Sequence, residues 1–177
     1  MMQSKSEKSC SICTRLFRPW TSTQVVCSTA CARKVPVVAR KKELADTRAR
    51  REAIKTRAQW LKEAQQAFNA WIRARDTALP CVSCGRRHEG QIHAGHFLST
   101  GARPELRFDE SNVWAQCSPC NVHLHGNLVL YRAELVRRIG LAKVEWLEGP
   151  HEPKKWTRDE LRAIRDTYKA RLKQETK

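Results

Sequence analysis

Eight cysteines fall into four close pairs, Cys10–Cys13, Cys27–Cys31, Cys81–Cys84 and Cys117–Cys120. Thiolates are soft ligands, and a tight turn presents two of them to one side of an ion. Two such turns complete a tetrahedron around zinc. Cys81, Cys84, Cys117 and Cys120 fit that pattern, with 32 residues between the pairs, room for a β-hairpin. Cys10, Cys13, Cys27 and Cys31 form a similar set with a wider second turn. The competing reading is a disulfide framework in a small secreted scaffold. The polar start, Met1-Met2-Gln3-Ser4-Lys5, carries no secretory signal, so the expectation is reduced thiols on metal in a reducing cytoplasm.

A second kind of chemistry is spaced around the later pairs. Between them runs Ile92-His93-Ala94-Gly95-His96-Phe97, with Asn112 sixteen residues after His96. Asn121 directly follows Cys120, and His125 comes four residues later. A helix starting near Ser118–Cys120 would put Asn121 and His125 on one face. A neutral imidazole can take a proton from water near pH 7. A divalent cation can stabilise the charge on a phosphorane and on a leaving oxygen. The bland reading is a zinc module whose histidines and asparagines only cap turns.

This order of residues resembles the HNH, or ββα-metal, nucleases, and among them the zinc-stapled subset that includes endonuclease VII. There, too, a metal-binding Asn follows the last zinc cysteine. The likeness spans residues 81–125. It implies His96 as general base, Asn112 as the brace that orients it, and Asn121 with His125 as ligands of a catalytic Mg or Mn ion. Many HNH proteins carry Asp or His where this chain has Gly95. Two substitutes are open: His93, brought in by a bend at Gly95, or a sparse shell completed by water and phosphate. His123 is read as a helix-surface residue or phosphate contact, and His88 and His151 are assigned no chemistry.

The whole chain is closer still to the NinG/Rap proteins of lambdoid phages. The shared features are the N-terminal cysteine module, a basic helical stretch, and Ala94-Gly95-His96-Phe97 before Cys117-x-x-Cys120-Asn121. That resemblance implies a structure-specific endonuclease acting on branched recombination intermediates, Holliday junctions and D-loops. Two alternatives stay open, a zinc-finger DNA-binding adaptor without chemistry and an HNH nuclease without branch specificity.

The rest of the chain must position these residues and bind their substrate. A net charge of +16 points to a polyanionic partner, and nucleic acid is the default. No apolar run approaches a membrane span. Between Arg33 and Lys62 there are eleven Lys/Arg against three acids. Within that run Arg40, Lys41, Lys42, Arg48, Arg50, Arg51, Lys55 and Arg57 would meet DNA phosphates, placing a duplex without reading its sequence. A solvated helix face is the ordinary alternative.

From Val37 to Leu79 there is no Gly or Pro, which predicts helix, with room for one break, about 60 Å long. Ile54, Ala58, Leu61, Ala64, Phe68 and Trp71/Ile72 form an apolar stripe, to be packed on the C-terminal helices or on a second copy. A homodimer would suit symmetric incision of a four-way junction. Leu128, Tyr131, Leu135 and Ile139 predict a helix ended by Gly140, residues 149–153 a linker, and Thr157-x-x-Glu160 the cap of a last helix. Aromatics are few, so a large core is doubtful and metal becomes a folding element. The predicted class is α+β, mostly helical: a zinc-stapled ββα-metal (HNH-like) core with added modules. Its segments are an N-terminal zinc module (1–36), a long basic helical segment (37–79), the core (80–140), and a linker with a C-terminal helix (141–177).

Overall fold

The structure, a computed structural model, describes residues 6–87 and 90–175, and His88 lies outside them. The chain is a mostly helical α+β protein that divides into two compact units, residues 1–55 and 56–177.

In the first unit, β1 (Lys8–Ser9) pairs antiparallel with β2 (Leu16–Phe17), and α1 spans Thr29–Ala53. The helix starts ahead of the predicted Val37. Ser28 caps it, its hydroxyl accepting from the Cys31 amide at 3.2 Å, so Cys31 enters the first turn and Pro36 is carried inside. A helix-interior proline forfeits one backbone bond, and here a capped start anchored on a cysteine outweighs that cost. Cys31 is the one buried residue that α1 contributes. Among the described residues of this unit, the buried apolar side chains are Cys10, Pro19 and Cys31. A unit with so little core needs another source of stability.

In the second unit the predicted long helix restarts as α2 (Arg57–Arg75). Thr56 and Gln59 form a capping box: the Gln59 amide donates to Thr56 Oγ1 at 3.3 Å, and the Thr56 amide donates to Gln59 Oε1 at 2.7 Å. The chain then forms β3 (Ile92–His96), β4 (Val113–Cys117), α3 (Leu128–Ile139), α4 (Leu141–Glu148) and α5 (Arg158–Glu175). The Thr157–Glu160 cap of α5 forms as expected. The short α4, set off by Gly140 at φ +80°, has no counterpart in the sequence reading.

Two apolar clusters sandwich the β3–β4 hairpin, more core than the aromatic content suggested. One joins α2 to α5 through Trp60, Ala64, Phe68, Trp71, Ile72, Leu161 and Tyr168. Phe68 is its hub, with ring centroids 4.8 Å from Tyr168 and 5.6 Å from Phe108, both edge-on. The predicted stripe is thus covered by the C-terminal helix. It is also shifted, because Ile54 is 81% exposed and Ala58 is exposed, whereas Trp60 is buried. The other cluster gathers Val82, Phe97, Leu106, Tyr131, Leu135, Val144 and Leu147. Strand alternation divides the hairpin between them: Ala94 and Val113 pack on the first, Trp114 on the second.

Truncating Phe68→Ala should cost about 3–5 kcal/mol in denaturant unfolding. Ile54→Ala, on an exposed side chain, should stay within about 0.5 kcal/mol of wild type in the same experiment.

Candidate functional site

The cysteine pairs converge as their spacing predicts. Cys10, Cys13, Cys27 and Cys31 form one quartet and Cys81, Cys84, Cys117 and Cys120 the other, with the sulfurs of each within 4.8 Å of one another. Cys13–Cys27, Cys27–Cys31 and Cys84–Cys117 are 3.6, 3.7 and 3.8 Å apart. Sulfurs about 2.3 Å from a tetrahedral zinc ion would be about 3.8 Å from each other, so both quartets could hold zinc. Backbone amides aim at the cluster from each side: Cys27 N–H at Cys10 Sγ and Cys117 N–H at Cys81 Sγ, both at 3.4 Å. The electrostatics of the bare thiols point the same way. The Cys13 amide pulls Cys10 down to about 6, whereas the Cys13 thiol beside it pushes Cys27 up to about 11. A cation removes that conflict by making all four thiolates favourable. Asn127, which the sequence reading passed over, donates from Nδ2 to Cys120 Sγ at 3.6 Å. Its Gly126-Asn127 sequence is a turn signal, and Asn127 takes the left-handed conformation at φ +47°.

The strands pair in unbroken register from Ile92↔Cys117 to His96↔Val113. The bend at Gly95 that would bring His93 beside His96 is not formed, and alternation places the two histidines on opposite faces of β3. Gly95 is small for a packing reason. The Gln116 side chain crosses it, and a Cβ built on Gly95 would overlap Gln116 Oε1. Gln116 is fully buried and donates from Nε2 to Ser83 Oγ and to the Gly126 carbonyl, each at 2.6 Å. Tyr131 adds a bond from its hydroxyl to the Gly95 carbonyl at 2.9 Å. Burial raises the Tyr131 pKa, which keeps the phenol a donor. Gln116 therefore ties the hairpin to the Cys81–Cys84 turn and to the loop after Cys120. His93 sits opposite Gln116, and His93 Nε2 and Gln116 Oε1 are both buried without a partner among the described residues.

His96 is held from the other side. Its Nε2 lies 3.1 Å from the Arg107 carbonyl. A carbonyl only accepts, so Nε2 carries the hydrogen and Nδ1 keeps the lone pair. Burial holds the imidazole below the usual 6.5, favouring the neutral form. Asn112, fully buried, clamps the loop that supplies this carbonyl. Its Oδ1 accepts from Leu98 N–H at 2.9 Å, and its Nδ2 donates to the carbonyls of Leu98 and Leu106 at 3.0 and 3.2 Å. Arg107 is anchored in turn, its guanidinium 3.1 Å from Gln65 Oε1 on α2.

Asn121 and His125 are not on one helical face. After Cys117 the chain makes a single π turn, Pro119–His123, closed by Leu124 N–H on the Pro119 carbonyl at 3.0 Å. His125 lies beyond it, exposed and left-handed at φ +49°. The expected four-residue spacing fails because Asn127 and Gly126 turn the chain before α3 begins. Through Gly126, the turn carrying His125 is tied to the Gln116 face of the hairpin, opposite the face from which His96 projects. No hydrogen bond links His96 to Asn121, His125 or His93 among the described residues. Asn121 is half-buried, and His123 is exposed on the π turn. His151 donates from Nε2 to the Trp146 carbonyl of α4 at 2.8 Å, a structural contact. Apart from the cysteine quartets, no group of three His, Cys, Asp or Glu ligands gathers among the described residues.

A buried acid missed in the sequence supports the same hairpin. Asp76 accepts from the Ala115 amide at 2.8 Å and pairs with Arg75 at 2.6 Å. Arg75 lies 4.4 Å over the Trp114 ring and donates to the Val113 carbonyl at 2.9 Å. The signal was available only as an Arg-Asp pair at a helix end. Of the basic residues, Arg40, Lys41, Lys42, Arg48, Arg50 and Arg51 are exposed on α1, while Lys55 is half-buried. Arg57 donates to the Trp156 carbonyl at 2.7 Å and so braces the second unit.

Metal analysis of the purified protein should find two zinc ions per chain, and a single ion would leave one quartet without its metal. Asn121→Ala should retain both, since Asn121 belongs to neither quartet. Gly95→Ala should lower stability by about 1–3 kcal/mol, because Gln116 is fastened at its far end and cannot swing away. An unchanged melting temperature would show that it can.

The family model described as Bacteriophage Lambda NinG protein matches residues 2–177. Protein ninG of Salmonella phage P22 is 42% identical over 180 residues, 91% of this chain and 89% of that protein. Protein ninG of Escherichia phage 933W is 41% identical, covering 97% and 95% of the two chains. Protein ninG of Escherichia phage lambda is 40% identical, covering 91% and 88%. No solved structure matches. With family match and relatives both running nearly end to end, the chain belongs to the NinG family of lambdoid phages.

Proposed function

We propose that this protein is a metal-dependent endonuclease that hydrolyses phosphodiesters in branched DNA, such as Holliday junctions and D-loops. One observation carries the reading: His96 is half-buried and oriented, with Nε2 on the Arg107 carbonyl, Nδ1 left as a proton acceptor, and a pKa held below 6.5 by desolvation. Such an imidazole suits a general base. His96 Nδ1 would take the proton of a water that attacks phosphorus, and Asn112 keeps the ring aimed by fixing the Leu98–Leu106 loop.

A magnesium or manganese ion would supply charge stabilisation at the phosphate and the leaving 3′-oxygen. The HNH resemblance assigns it to Asn121 and His125, with water and phosphate oxygens filling the remaining positions, although their turn is tied to the hairpin face opposite His96. A hard cation that keeps several waters fits so sparse a donor set. His93, half-buried opposite Gln116 on the other hairpin face with its Nε2 out of solvent, enters this reading as a packed neighbour and not as a third ligand. The exposed basic side chains of α1, from Arg40 to Arg51, would contact the phosphates of a DNA arm, and binding should weaken with salt.

The separation of His96 from the turn of His125 favours a second reading, a zinc-stabilised DNA-binding adaptor without chemistry. A labelled four-way junction with Mg²⁺ or Mn²⁺ decides between them. The nuclease should cut it, whereas His96→Ala should bind it with wild-type affinity and cut at least about 100-fold more slowly. Binding without cutting by the wild type would leave the adaptor. Equal cutting of linear duplex would remove the branch specificity.

The pH profile follows from the lowered His96 pKa. Below that pKa the base is protonated, so the rate should be flat near neutrality and fall with acid, with its break under 6.5. Stability has the same sign. The unfolded chain binds this proton more readily, so the contribution is complete above 6.5 and is lost as pH falls toward the folded pKa. A break above 6.5 would point to a different base.

A further inference from the structure

We infer that Arg57 and Arg107 form a two-guanidinium site for one backbone phosphate of DNA, beside the His96 ring. The sequence groups Arg57 with the basic run before it, but the fold puts it with Arg107. Arg57 opens α2, and Arg107 ends the 3₁₀ turn Pro104–Leu106. The two meet at one junction. Arg57 Nε donates to the Trp156 carbonyl at 2.7 Å, and Trp156 Nε1 donates to the Pro104 carbonyl at 3.0 Å. The Arg107 amide donates to the same Pro104 carbonyl at 3.3 Å. The Trp156 ring packs edge-on against Phe108, with centroids 5.1 Å apart. Gln65, about two turns along α2 from Arg57, accepts from the Arg107 guanidinium at 3.1 Å. His96 joins them through its 3.1 Å bond to the Arg107 carbonyl.

Charge links the three groups as well. Burial is the main reason the His96 pKa falls, and the Arg107 charge lowers it further. Burial also lowers the Arg107 pKa, and the Arg57 charge adds to that. Two half-buried cations this close repel each other, and an anion between them removes the cost. Among the described residues no carboxylate takes that place. Glu105 pairs with Arg103 at 2.6 Å, Glu63 pairs with Arg165 at 3.1 Å, and Asp109 Oδ1 accepts from the Ser111 amide at 2.8 Å. Arg57 and Arg107 bond neutral acceptors instead: the Trp156 carbonyl, Gln65 Oε1 and, at 3.3 Å, the Thr100 carbonyl. Those bonds leave further N–H groups on both guanidiniums. The non-bridging oxygens of a phosphate match that fork, and a net charge of +16 favours DNA as their source. The inference deepens the nuclease reading and rests on it for its use: the phosphate so held would face the water that His96 activates.

The test needs no cleavage. Inorganic phosphate is added to the full-length, zinc-loaded protein without Mg²⁺ or Mn²⁺, and NMR follows the arginine Nε–H and imidazole signals. Those of Arg57, Arg107 and His96 should shift together along one saturable curve, and signals that stay still would overturn the inference. Arg107 also anchors its loop, so the variants are made at Arg57. Arg57→Gln should weaken phosphate binding about tenfold, and Arg57→Lys should recover most of the loss. Equal binding by wild type and Arg57→Gln would overturn the inference, as would equal losses in the two variants, which would leave Arg57 as a brace alone. The wild-type titration stands whether or not a variant folds. A four-way junction, added without divalent ions, should release the phosphate, read from the phosphorus-31 line of the free ion. Phosphate that stays bound would overturn the assignment to DNA. A protein that passes and never cuts keeps the site and loses the nuclease, whereas one that cuts while these signals stay still loses the site.

Discussion

The arrangement of the second unit depends on four sulfurs meeting at one point. Cys81 and Cys84 lie on a turn after α2, Cys117 ends β4, and Cys120 sits in the π turn that follows. Bringing them within a tetrahedron's edge pins the turn to the hairpin and sets where the chain emerges after Cys120. The first unit depends on the same constraint more completely. With Cys10, Pro19 and Cys31 as the buried apolar side chains among its described residues, the quartet stands where a core would be.

Around the second quartet, buried polar groups do the aligning. Gln116 reaches across Gly95 to Ser83 and Gly126, and Asp76 accepts from the Ala115 amide while Arg75 neutralises it. Gln116 lies in β4 and Asp76 at the end of α2, and both are fully buried, so each must keep its partners. Gly95 is thus a consequence of Gln116. The residue that looked like the weak point of a nuclease motif is a close approach between side chain and backbone, and the absence of a ligand there is built into the packing.

Legibility followed how local each signal was. The quartets, a hairpin between the later cysteine pairs, α3 and the Thr157 cap are short-range patterns that could be read from spacing and periodicity, whereas the bounds of the two strands came only with the fold. The break at Thr56 was also local, a Thr-x-x-Gln capping box hidden in a helix-favouring stretch. What the sequence concealed needs the folded chain. Trp60 replaces Ile54 and Ala58 in the buried stripe because the helix breaks at Thr56, leaving Ile54 at the end of α1, and because on the first turn of α2 it is Trp60 and not Ala58 that packs in the α2–α5 cluster. The spacing of Asn121 and His125 suggested one helical face, but the π turn ends at His123 and Gly126-Asn127 reverses the backbone. Gln116 meets Gly126 ten residues on, Asp76 meets the Ala115 amide 39 residues on, and Asn127 meets a cysteine sulfur, all beyond any periodicity.

The proposed chemistry rests on the protonation of one ring. Nitrogen-15 NMR of His96 in the zinc-loaded protein at pH 7 reads it directly. A base poised by the Arg107 carbonyl gives a neutral imidazole with the hydrogen on Nε2 and the lone pair on Nδ1. An imidazolium, or a hydrogen on Nδ1, would contradict the assignment of His96 as the group that activates water.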